Sequence, residues 1–181
     1  MTIQIWTIGH SNRSLEALVG MLASFQVQLL ADIRTVPRSR HNPQFNRETL
    51  PAELNRFGAE YIHYAGLGGL RRPVNPSPNS GWRNESFRGF ADYMLTPEFS
   101  ANLDELIEVA AQRRIAVMCA EAVPWRCHRS LIADALVIRD VSVFHIMGVY
   151  RDQPHRLTPW ARREGMRLIY PESDSELGFT E

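Results

Sequence analysis

Short apolar runs alternate with stretches of helical period along most of this chain, and that alternation narrows the folds open to it. Residues 3–8, 28–33, 61–64, 115–119 and 141–147 carry the aliphatic and aromatic side chains of strands. After the first run, Ser14 is placed to cap a helix, with Glu16 in its first turn and Leu15, Leu18, Val19, Leu22 and Phe25 at helical spacing. A short helix over 50–57 ends at Gly58, a natural left-handed cap. Phe87, Phe90, Ala91 and Met94 mark another helix. Thr96-Pro97-Glu98 opens the next, whose apolar face is Phe99, Leu103, Leu106, Ile107 and Ala110. A last core helix covers 128–138. The order predicts an α/β fold: about five strands in a mostly parallel sheet with helices on both faces, a Rossmann-like three-layer sandwich. Residues 1–148 form this single domain in that reading. Residues 149–181 are a C-terminal extension packing on it, with a small hairpin around Glu164-Gly165 and an acidic tail, 171–181, that frays.

Composition removes several functions. A length of 181 residues suits one domain. No run approaches the roughly 18 apolar residues of a membrane helix, and the first residues lack the basic and apolar regions of a secretory signal. Two cysteines are too few for a disulfide framework. A cytoplasmic protein without a membrane partner is therefore expected, and a Cys119–Cys127 disulfide is disfavoured in that compartment. All 20 basic side chains are arginine. The lack of lysine excludes a Schiff-base lysine, a pyridoxal-phosphate anchor and a Walker A loop. Any bound anion must be held by arginine, histidine or backbone N–H groups. Twenty acidic residues balance the arginines, so whole-molecule attraction to nucleic acid is not expected.

In open α/β sheets, ligands bind beyond the carboxyl ends of the strands, so the segments that follow each strand hold the candidates. The first is followed by Gly9, His10 and Ser11. Asp32 and Arg34 end the second, and the basic stretch 33–47 follows, with four arginines, His41 and no acid. After the third come Gly68, Gly69, Arg71 and Arg72, inside the twenty residues 65–84, a length that marks a lid or binding loop. The fourth is followed by C-A-E-A-V-P-W-R-C-H-R (residues 119–129). There Cys127, His128 and Arg129 lie near the start of a helix, where free N–H groups favour anions and thiolates.

This pattern suits a nucleophilic cysteine, Cys119 or Cys127, with His128 or His10 as partner and Glu121 as acid or base. Cys119 is equally readable as a small core residue. Ser11, Asp32, Arg34, Gly68, Gly69, Arg71 and Arg129 form the candidate substrate-binding set, though Asp32 also reads as a structural partner of an arginine, and glycines also serve turns. The spacing does not match the phosphatase loop of cysteine, five residues, arginine. Metal binding, zinc or iron held by Cys119, Cys127, His128 and His10, is a second chemistry; seven residues between the cysteines match no common zinc module. The identity of any cofactor is left open.

Four motifs, T-I-G-H-S (7–11), D-I-R-T-V-P-R-S (32–39), L-G-G (67–69) and M-C-A-E followed by C-H-R-S-L-I-A (118–121 and 127–133), together with T-P-W-A-R (158–162), resemble the family called domain of unknown function 488. The resemblance implies a compact α/β protein and carries no catalytic role with it. The leading expectation is a small enzyme acting on an anionic substrate, a nucleotide or nucleic-acid component. The alternatives are a nucleic-acid-binding module, with the basic run 33–47 on phosphates and Phe45 or Trp82 stacking on bases, and the metal-binding protein.

Overall fold

The computed structural model describes residues 2–172. Its strands are β1 (Gln4–Gly9), β2 (Leu29–Asp32), β3 (Glu60–His63), β4 (Ile115–Cys119), β5 (Ser142–Gly148), β6 (Arg151–Pro154), β7 (Arg162–Glu164) and β8 (Arg167–Ile169). The α-helices are α1 (Leu15–Ser24), α2 (Leu50–Arg56), α3 (Glu85–Tyr93), α4 (Pro97–Ala110) and α5 (Arg129–Val137). One sheet runs β3-β2-β4-β1-β5-β6, with the first five strands parallel and β6 antiparallel at the edge. The hairpin β7-β8 stands apart.

Central strands covered on both faces read as unbroken apolar runs rather than alternating ones. Every residue of β2 and β4 is buried. Leu18 and Leu22 of α1 and Leu54 of α2 cover one face, with Ile8, Leu30 and Met118 beneath them. Phe90 of α3, Phe99 and Leu103 of α4 and Leu131 of α5 cover the other, over Ile5, Leu29 and Val117. Ser14 and Thr96 cap α1 and α4 through their side chains, as their positions predict.

The sheet has six strands where the sequence suggests five. The addition, β6, reads Arg-Asp-Gln-Pro and is exposed throughout. It has neither an apolar run nor alternation, and charged residues and proline are what an edge strand tolerates. The expected hairpin is present, its turn at Gly165 with φ 64°. The part of the acidic tail at 173–181 lies outside the described residues. No helix among the described residues is long and apolar enough to cross a membrane.

The segment after β5 is tied to the core by a buried carboxylate. Asp134, on α5 and wholly buried, accepts from His155 Nε2 (2.8 Å) and the Thr158 backbone N–H (3.0 Å) through one oxygen, and from the Tyr170 hydroxyl (2.9 Å) through the other. Burial first, and then the Asp134 charge, push the Tyr170 phenol well above its ordinary value, so it stays a donor. Tyr170→Phe should therefore cost about 1–3 kcal/mol, read as a lower urea midpoint with unchanged slope. A midpoint shift below the error of the fit would show that this tie does not hold the segment.

Candidate active site

The helices that follow β1 and β2 pack on one face, and those that follow β3 and β4 on the other. The loops leaving the strand ends therefore diverge and open a crevice there. A cleft of about 800 Å³ occupies it, and its lining draws on the loops after β1, β2, β3 and β4 together with the start of α3. The β1 and β4 loops are zipped together, His10 N–H donating to the Cys119 carbonyl (3.0 Å) and Ser11 N–H to that of Ala120 (2.9 Å). Their closeness requires Gly9, where a Cβ would overlap the Glu121 carbonyl and the Arg129 guanidinium. Ser11 takes φ 49°, a left-handed conformation uncommon for a residue with a side chain and found at functional turns.

One wall rests on a buried ion pair. The Asp32 carboxylate is inaccessible and accepts from Arg34 Nε (2.9 Å), Arg34 Nη2 (2.6 Å), the Arg34 backbone N–H (3.0 Å) and the Tyr61 hydroxyl (2.6 Å). Arg34 Nη2 also donates to the Phe45 carbonyl (2.7 Å), and Nη1 faces His10 Nε2 at 3.3 Å. These contacts settle the His10 tautomer. Nδ1 lies 2.8 Å from the Ser11 carbonyl and must carry the proton, leaving Nε2 to accept from Arg34. Burial, with the Arg34 charge, lowers the His10 pKa below its ordinary value and keeps the ring neutral. Phe45 stacks on that ring at 4.5 Å.

The floor holds the two cysteines. Arg129 is 1% exposed and forms no ion pair with a carboxylate among the described residues. Its Nη1 donates to Cys119 Sγ (3.3 Å) and its Nη2 to the Ala122 carbonyl (2.8 Å), while its Nε has no partner. A buried guanidinium left without a negative partner costs about 3–5 kcal/mol. Ionising a thiol at neutral pH costs only about 2 kcal/mol, from an ordinary pKa near 8.5. The balance favours a Cys119 thiolate. Burial opposes ionisation of Cys119, but the Cys127 thiol donating to it and the Arg129 charge outweigh burial and hold its pKa below the ordinary value. Cys127 is the reverse case: its bond to Cys119, then burial, raise it well above the ordinary value, so it keeps its proton.

Next to this pair, His128 Nε2 faces the Leu67 carbonyl (3.0 Å) and so carries the proton, which leaves Nδ1 with its lone pair 3.5 Å from Cys127 Sγ. Burial above all, with the charges of Arg129 and Arg71, lowers the His128 pKa to about 4. A Cβ on Gly69 would press into the His128 ring, so the glycine is there for close approach.

Of the residues singled out from sequence, His10, Ser11, Arg34, Gly69, Cys119, Glu121, Cys127 and His128 line the cleft. Asp32 and Arg129 lie beneath it, holding Arg34 and Cys119. Gly68 makes room for Thr35. Arg71 stacks over Tyr93 at 3.6 Å and donates to the Gly68 and Gly66 carbonyls, outside the lining. Phe45 is wholly buried and so cannot stack on a base. Trp82 packs against Phe87, Trp160 and Tyr170. Among the described residues no group of three or more His, Cys, Asp and Glu side chains is arranged to hold a metal ion. Sequence reasoning passed over Tyr61, whose hydroxyl completes the Asp32 carboxylate, and Ser86 and Phe87 at the cleft edge, for which no motif gives a signal.

Residues 14–136 match the family model described as "Domain of unknown function DUF488". No curated protein and no solved structure matches the chain.

Removing the Asp32 charge strands Arg34. Asp32→Asn should lower unfolding free energy by about 3–5 kcal/mol, measured by urea denaturation; a loss under about 1 kcal/mol, the size of a surface pair, would contradict a buried pair.

Proposed function

We propose that this chain, which belongs to the DUF488 family, is an enzyme that uses the Cys119 thiolate as a nucleophile on a small anionic molecule bound in the cleft. The observation that carries this reading is the buried Arg129, whose negative partner among the described residues is a cysteine at the end of a central strand. A structural cysteine gains nothing from a cation held against its sulfur, whereas a nucleophile gains the anionic form that reacts. The cleft volume is that of a site for a drug-sized or nucleotide-sized ligand.

Binding falls to the rim. Arg126 and Arg38 line the cleft and are exposed there, Arg38 also pairing with Glu48 at 2.6 Å. Arg34 and Arg129 hold the site's own anions and are positioning groups. Glu121, exposed in the lining two residues beyond Cys119, is placed to pass a proton to a leaving group. The His10–Arg34–Asp32 network stiffens the wall opposite. A nucleic-acid-binding module is favoured less, because Phe45 and the cations Arg34 and Arg129 are buried rather than presented to a polymer.

Alkylation with a matched anionic and neutral pair, iodoacetate and iodoacetamide, tests both halves of this reading. Cys119 should be the labelled residue. Its ratio of iodoacetate to iodoacetamide rates should exceed that of free cysteine several-fold, and Arg126→Gln should bring the ratio back toward the free value. Labelling of Cys127 alone, or of neither cysteine, would remove Cys119 as nucleophile. A ratio equal to that of free cysteine would remove the anionic preference.

A further inference from the structure

The reading above uses one cysteine, and the second is placed and protonated for a different task. We propose that Cys119 and Cys127 are a redox-active dithiol whose substrate is an anionic low-molecular-weight disulfide, reduced as the two cysteines join. This rests on Cys119 being the site's nucleophile and names the substrate class of that site.

Both cysteines are free and buried side by side against one cation. They also share Arg129, whose Nη1 donates to Cys119 Sγ at 3.3 Å and whose backbone N–H donates to Cys127 Sγ at 3.5 Å. Both line the cleft, so a disulfide bound there meets the pair together. Their protonation is unequal in the sense that exchange requires. The attacking sulfur is the thiolate, and the resolving sulfur keeps its proton until the mixed disulfide exists. The thiolate that leaves the substrate in the first exchange is the base at hand to take that proton. A lone nucleophile would need no second thiol. The volume of the cleft also exceeds what a peroxide would need.

The Cys119 thiolate attacks one sulfur of R–S–S–R′. A Cys119–S–S–R bond forms, the substrate S–S bond breaks, and R′S⁻ leaves. R′S⁻ takes the Cys127 proton as it departs. The new thiolate attacks Cys119 Sγ, the mixed disulfide breaks, and RS⁻ leaves. Two electrons have passed from the two cysteines to the substrate, giving R′SH, RS⁻ and a Cys119–Cys127 disulfide. Two equivalents of a low-molecular-weight thiol restore the dithiol by the reverse exchange.

The experiment exposes the reduced full-length protein to oxidised glutathione, quenches with acid, and reads intact mass and a peptide map. Wild-type protein should lose the mass of two hydrogens, with Cys119 joined to Cys127. Cys127→Ser should instead stop as a glutathione adduct on Cys119, and Cys119→Ser should form no internal disulfide. A wild-type adduct persisting on Cys119 as long as in Cys127→Ser would overturn the dithiol and leave the nucleophile standing. Protein that iodoacetate labels at Cys119 but oxidised glutathione leaves unchanged would overturn the disulfide substrate alone. Protein inert to both reagents would overturn this proposal and the reading beneath it. The first outcome is read on the wild-type chain, so misfolding of a variant cannot hide it.

Discussion

A guanidinium buried without a carboxylate has to find negative charge, and the way Arg129 does so organises the centre of this molecule. Its head reaches under the β1 and β4 loops and ends at the Cys119 sulfur. That contact lowers the pKa of a residue in a fully apolar strand, Ile115–Cys119, whose burial alone would raise it. It also imposes the surrounding chain geometry. Gly9 cannot be larger because Arg129 and the Glu121 carbonyl pass where its Cβ would be. Cys127 lies at the start of the helix that carries Arg129, so the cation, both sulfurs and the His128 ring form one cluster.

The sheet places this cluster at the crevice. Connections from β1 and β2 go to one face and those from β3 and β4 to the other, so the loops part above the β1–β4 pair. The two walls solve the same problem differently. On one side Arg34 is neutralised by a carboxylate that Tyr61 also contacts, giving a rigid and chemically quiet wall. On the other the guanidinium meets a sulfur, at 3.3 Å. Two buried arginines thus share one cleft in different capacities.

Much of this was legible in the sequence. Apolar runs in β1, β2 and β4, alternating with helices, specify central parallel strands buried on both faces, and that topology brings the segments after the strands to one rim. His10, Arg34, Cys119 and His128 could be grouped before any coordinates existed for that reason. What sequence could not express is depth. Arg34, Arg71 and Arg129 look alike in a polar segment, yet one is ion-paired in a wall, one stacks on Tyr93, and one lies beneath the floor. Nor could sequence express why Gly68 and Gly69 are glycines: they sit where Thr35 and His128 come too near for a side chain. β6 escaped notice because an exposed edge strand of Arg-Asp-Gln-Pro carries no apolar period.

The central claim is that Arg129 holds Cys119 as a thiolate. Titration of thiolate ultraviolet absorbance in the reduced protein, with Arg129→Met beside it, tests that claim most directly. One thiol should ionise below the ordinary cysteine range of about 8.5 and the other well above it. In Arg129→Met the lower step should move up to or beyond the ordinary range. Two thiols that ionise together at or above that range in the wild-type protein, or a low step that survives loss of the guanidinium, would contradict it.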